Sequence, residues 1–149
     1  MDYEMIAGDW LEGGNLEINA HLHFPGFGLG GPVRFEIDTG ASRTILGPSD
    51  AERLGIDYSR LGLPIQLGTI GSDVLAHPIP GVVYLTGERQ DVGFKAHVMV
   101  LNPSTSDLGN SLLGPDVLRR VEFYTWGAGW GFMLSPRAPD SCLEWNPEE

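Results

Sequence analysis

Twenty-one glycines and eleven prolines divide this 149-residue sequence into short pieces. That usage suits many short strands joined by tight turns. The pieces between them alternate. In "NLEINAHLHF" (15–24) the residues Leu16, Ile18, Ala20, Leu22 and Phe24 share one face, so the segment reads as a strand. "VRFEID" (33–38) reads as a second strand, joined to the first by a glycine loop, "PGFGLGGP" (25–32). "GPSDAERLGI" (47–56) predicts a short helix. Pro48 and Ser49 open it, Asp50 and Glu52 suit its positive N-terminal end, and Gly55 closes it. Residues 63–87 predict a long hairpin with a glycine-rich tip. Residues 92–101 predict a strand and 102–110 a loop, followed by a short strand at 111–113. "PDVLRRV" (115–121) predicts a second short helix, and 122–134 a further hairpin turning at Gly127 to Gly129. The expectation is an all-β fold with one or two short helices. An acidic arm (1–14) precedes one domain (15–134), and a mostly irregular tail (135–149) follows it.

Length and a hydrophobic content of 42% suffice for one domain with a real core. The net charge of −11 argues against nucleic acid and against anionic membrane surfaces. One cysteine, Cys142, allows no internal disulfide, which fits a reducing compartment and a cytoplasmic protein. The first residues lack the apolar core of a secretory signal, and no apolar run approaches the ~20 residues of a membrane span.

Several patterns tempt a functional reading and carry little. Gly26, Gly28 and Gly31 form a literal G-x-G-x-x-G. A dinucleotide site needs a helix after that loop, and here a strand follows, so a flexible hairpin loop is the better reading. Ser72, Asp73 and His77 suggest a serine triad, but no G-x-S-x-G elbow accompanies them. They read as a mobile polar hairpin tip. His21 and His23 share a strand face without a third metal ligand at suggestive spacing and are expected to face solvent. Trp126 and Trp130 flank a turn and are expected to cover the sheet or an interface. No cofactor or metal is expected.

"FEIDTGASRTIL" (35–46) is different. An apolar strand ends in a carboxylate, Asp38, and small residues follow at once. Alone, D-T-G is an ordinary turn at a strand end. About seventy residues later comes "SLLGPDVL" (111–118). An apolar-D-T-G-A segment paired with an apolar-apolar-Gly-x-Asp-x-Leu segment resembles the retropepsin-like aspartic proteases. The order of hairpin, D-T-G-A loop, glycine-rich hairpin, strand and Leu-Leu-Gly helix resembles them too, over roughly residues 15–134. The resemblance implies a closed β-barrel of the acid-protease fold and an aspartic endopeptidase. In such enzymes two carboxylates share a proton and activate one water. By motif position it implies Asp38 as the acid/base, Thr39 as a clamp to the other active-site loop, and Gly40 as a contact to the substrate backbone. Ala41 and Ser42 would line the substrate site. Leu112, Leu113 and Gly114 would support the loop from below, and Asp116 would begin the helix. The hairpin at 67–78 would be the flap, with Gly68, Ile70, Gly71 and Ser72 at its tip and Ile70 or Val74 over the cleft.

The sequence holds one D-T-G; "LTG" at 85–87 lacks the acid. The second aspartate must then come from another protomer, so the resemblance implies a homodimer acting on a peptide or protein substrate. Many viral relatives carry an acid after D-T-G-A that pairs with an arginine after the Leu-Gly element. Those positions hold Ser42 and Pro115, so that ion pair cannot form. Ala41 stands where pepsin-like enzymes usually carry serine. The other reading of the same fold is a module that binds extended peptides or dimerises without useful cleavage.

Overall fold

Strands form where every second residue is apolar. The computed structural model describes residues 5–10, 14–67, 74–104, 109–125, 131–136 and 143–144. β1 (Ile6–Trp10) precedes β2 (Leu16–Phe24), which pairs antiparallel with β3 (Leu29–Ile37). Ile18, Ala20, Leu22 and Phe24 of β2 and Val33 and Phe35 of β3 are buried, while Asn19, His21 and Arg34 face outward. A slip of one residue would expose all six apolar side chains, each worth about 1.5–3 kcal/mol when fully buried, so the register is fixed by burial.

β4 (Ile45–Leu46) leads into α1 (Pro48–Leu54), which Gly55 ends in the left-handed region at φ 86°. After a 3-10 turn at Tyr58–Arg60 come β5 (Ile65–Gln66), β6 (Leu75–Thr86) and β7 (Asp91–Leu101). β8 (Ser111–Leu113), α2 (Pro115–Leu118), β9 (Val121–Thr125), β10 (Gly131–Pro136) and β11 (Leu143–Glu144) complete the order. Neighbours in the sheet run β6-β7-β4-β8-β3-β2, and a further β2–β6 pairing closes these six into a barrel. β5 extends β6, β11 pairs with β7, and β1, β10 and β9 extend outward from β2. The main core fills the barrel around Phe24, Phe35, Leu85 and Phe94. A smaller cluster of Ile45, Leu67, Ala76, Met99 and Leu101 joins the base of the β5–β6 hairpin to β4 and β7.

The expected all-β class with one or two short helices stands, with two helices present among the described residues, and several boundaries move. The stretch expected as an arm contributes β1, whose Ile6 lies in the main core. The glycine loop is shorter than 25–32. It is a 3-10 turn at Pro25–Phe27, and Gly30 and Gly31 already belong to β3. A Cβ on Gly31 would lie 2.5 Å from Leu54 Cδ2, so a larger residue there would push the Leu54 side chain of α1 aside. The second helix ends at Leu118, because β9 begins at Val121. Two residues of the tail form β11 against Val92 and Gly93.

Pro78 and Pro80 lie inside β6 without breaking it. Asn102 N–H bonds Leu75 O, so the odd-numbered residues of β6 point their backbone groups at β7. The two prolines therefore face the other way, between the stretch paired with β5 and the stretch paired with β2. No ladder bond is lost there, which is where a strand tolerates proline.

Candidate active site

Asp38 follows directly on β3, and its position is set by a crossing of strands. β8 lies between β3 and β4, parallel to β3 and antiparallel to β4. The chain from β3 to β4 must therefore arch over the end of β8, and that arch is the segment 38–44. Asp38 N–H donates to Leu113 O at 3.1 Å, which ties the acid to the end of β8. Gly40 N–H donates to Asp38 Oδ1 at 2.8 Å, which orients the carboxylate. Asp38 is half-buried, and Thr39 and Gly40 are exposed. A carboxylate held by a backbone donor at a partly open loop can accept a proton from water or carry one to a ligand.

The loop is braced from the other side by Asp116. Thr44 N–H donates to both carboxylate oxygens, at 3.1 and 3.2 Å, and Thr44 Oγ1 donates to Oδ1 at 2.7 Å. Gly114 N–H donates to Thr44 Oγ1 at 3.2 Å, and Val117 N–H donates to Asp116 Oδ1 at 3.0 Å. Thr44 is fully buried, so an unsatisfied N–H or hydroxyl there would cost about 1–3 kcal/mol. Gly114 is fixed by space. A Cβ on it would lie 2.4 Å from Arg43 C and 2.6 Å from Arg43 O, which are backbone atoms. One buried serine performs a similar service nearby. Ser111 Oγ accepts from Gly47 N–H at 2.9 Å and donates to Asp50 Oδ2 at 2.6 Å, which pins the start of α1 to β8.

Asp38, Thr39, Gly40, Leu113 and Gly114 thus come together in one loop and its support, with Ala41 half-buried and Ser42 exposed beside them. Leu112 packs on the smaller core cluster. The expected flap residues Gly68, Ile70, Gly71 and Ser72 lie outside the described residues, as do Asp73, Trp126, Trp130 and Cys142. Val74 is at the hairpin base, where its carbonyl accepts from Leu67 N–H and its side chain joins the smaller cluster. His77 is not part of a polar tip. It is buried in β6, with Nδ1 2.8 Å from Gly62 O and its ring edge-on to Tyr58. The role of Asp116 and Thr44 was not legible from their types, because a helix-opening acid and a strand threonine are both ordinary. The spacing of D-T-G to Thr44 and of Leu-Leu-Gly to Asp116 was the available signal. No group of three or more potential metal ligands occurs among the described residues.

A closed six-stranded barrel whose one D-T-G loop arches over an inserted strand is the single-lobe architecture of acid proteases. The family model described as "Aspartyl protease" matches residues 27–117, and the chain belongs to that family. It is similar in structure to a retropepsin-like aspartic protease from Rickettsia conorii, at 27% identity and a TM-score of 0.63, over 91% of this chain and 92% of that one. It also matches EIAV protease solved with an inhibitor, at 24% identity and a TM-score of 0.40, over 59% of this chain and 75% of that one. No curated protein sequence matches the chain.

Proposed function

We propose that this protein is an aspartic endopeptidase that activates water between two Asp38 carboxylates, one from each protomer of a homodimer. The observation that carries the reading is the D-T-G carboxylate itself, half-buried at a barrel end and oriented by Gly40 N–H. Two carboxylates in contact cannot both ionise, so they hold one proton between them. The ionised member takes a proton from water as the water oxygen attacks the peptide carbonyl carbon. The protonated member gives its proton to the carbonyl oxygen. The tetrahedral species then collapses with a proton passing to the leaving nitrogen, and no acyl-enzyme forms.

Each protomer supplies one D-T-G, so the dyad needs two chains. Thr39 is exposed and has no hydrogen-bond partner among the described residues, as suits a hydroxyl that clamps the facing loop. Gly40, Ala41 and Ser42 would run alongside the substrate backbone. Leu113 and Gly114 hold the loop at its height. The hairpin that departs at Leu67 and returns at Val74 is the flap in this reading. Cleavage of a diverse peptide pool by wild type and by Asp38→Asn tests the proposal. Loss of general acid–base action alone is worth ~10²–10⁴ in rate, and loss of both dyad members more. Near-native turnover by Asp38→Asn would overturn it.

A further inference from the structure

The chain carries nine Lys and Arg residues against a net charge of −11. Four of them, Arg43, Lys95, Arg119 and Arg120, line a single recess of about 730 Å³, with His97 beside them. None of these four side chains pairs with an acid among the described residues, whereas the other described cations are engaged. Arg34 bonds Asp9 and Glu17, Arg53 bonds Asp50, Arg60 lies over the Phe27 ring at 5.2 Å, and Arg89 has an interaction of its own. Asp116 also reaches the recess, but its oxygens are taken up by Thr44 and Val117. The recess is thus a local reversal of sign on an acidic molecule.

Its wall also offers backbone groups. Met99 N–H bonds Thr44 O, so Lys95 and His97, of the same parity in β7, point their N–H and C=O away from β6. On that side β11 pairs only at Val92 and Gly93, and β4 only at Met99 and Val100. Among the described residues, nothing pairs with the edge at Lys95–His97 between them. A strand edge flanked by cations suits an extended segment with acidic side chains, because the main chain supplies pairing and the side chains supply selection. A volume of this size, with cations from three separate elements, exceeds what one phosphate group needs. Ser42 and Arg43 line the recess and belong to the loop that carries Asp38, which sets the recess beside that loop.

We infer that this recess is a secondary subsite that selects peptide substrates bearing acidic residues to one side of the scissile bond, a conclusion that rests on the endopeptidase reading. The test uses Asp38→Asn protein and fluorescence anisotropy, so it needs no turnover. The probes are peptides with one common Leu-Val-Phe-Leu core, flanked on either side by Glu-Glu-Asp or by Gln-Gln-Asn. The acidic peptide should bind roughly tenfold more tightly at low salt. The ratio should fall toward one near 1 M salt, where the screening length is about 3 Å. It should also fall toward one when Lys95→Gln, Arg119→Gln and Arg120→Gln are combined, with the salt series on the unaltered recess standing if that variant does not fold. Equal affinities at low salt, or an acidic preference that survives the three substitutions, would overturn the inference. So would competition by tripolyphosphate at the same concentrations as the acidic peptide, which would make the recess a polyanion site. Absence of cleavage by wild type would overturn the endopeptidase reading and leave this binding result to stand or fall separately.

Discussion

Asp116 distinguishes bracing from chemistry at the residue scale. It is one of two aspartates in the motif segments, yet it satisfies a buried threonine on the loop that carries the other. Asp116→Ala should therefore strand Thr44 N–H and its hydroxyl in the interior and cost about 1–3 kcal/mol per stranded group. Asp116→Asn keeps one carboxamide oxygen as an acceptor and should cost less. Urea unfolding of the three proteins checks the order, and equal midpoints would refute the bracing role. In the sequence Asp38 was legible because D-T-G is contiguous and its neighbours are small. The pairing of Thr44 with Asp116 was not, since it joins residues 72 apart through a strand crossing that no local pattern encodes. His77 was misread for a related reason. A histidine between two prolines and a glycine-rich stretch looks like loop, but strand β6 carries it inside, under Tyr58.

Elements here are short, and their joints do much of the positioning. β4 has two residues and β8 three, so neither holds its place by its own ladder. Ser111 couples them to α1 by bonding Gly47 N–H and the Asp50 carboxylate across 64 and 61 residues of sequence. Ser111→Ala should cost about 1–3 kcal/mol, because Gly47 N–H would be left in a buried site. Thermal denaturation of the variant tests this, and a shift of under about 1 °C would show that water replaces the hydroxyl. Hydrogen exchange of the Gly47 amide should rise in the same protein. Element existence was legible from alternation in β2, β3 and β7. Element ends were not: Gly30 and Gly31 look like loop residues, yet they pair with His23 and Leu22 in the β2–β3 ladder.

For the whole molecule, the proposed chemistry needs two chains. Specific activity should fall on dilution below the dimer dissociation constant, because the competent fraction follows protomer concentration. Excess Asp38→Asn protein should poison wild type once subunits exchange, since a mixed dimer retains one carboxylate of the dyad. Sedimentation run beside activity decides this, and constant specific activity at every dilution would rule out a shared dyad. The all-β class was legible from the short alternating segments, and the barrel only through the resemblance carried by the motifs and their order. Its closing seam between β2 and β6 was not legible, because pairing partners distant in sequence leave no trace in either strand's pattern. The insertion of β8 between β3 and β4 has a further consequence, for the order of synthesis. A ribosome releases Asp38 long before Ser111, so the arch over β8 has nothing to arch over until β8 itself emerges. Contacts of such long range form late and slowly. A nascent chain therefore carries Asp38 on an unshaped loop, and the proposed protease stays inert toward neighbouring polypeptides until β8 has joined β3 and β4.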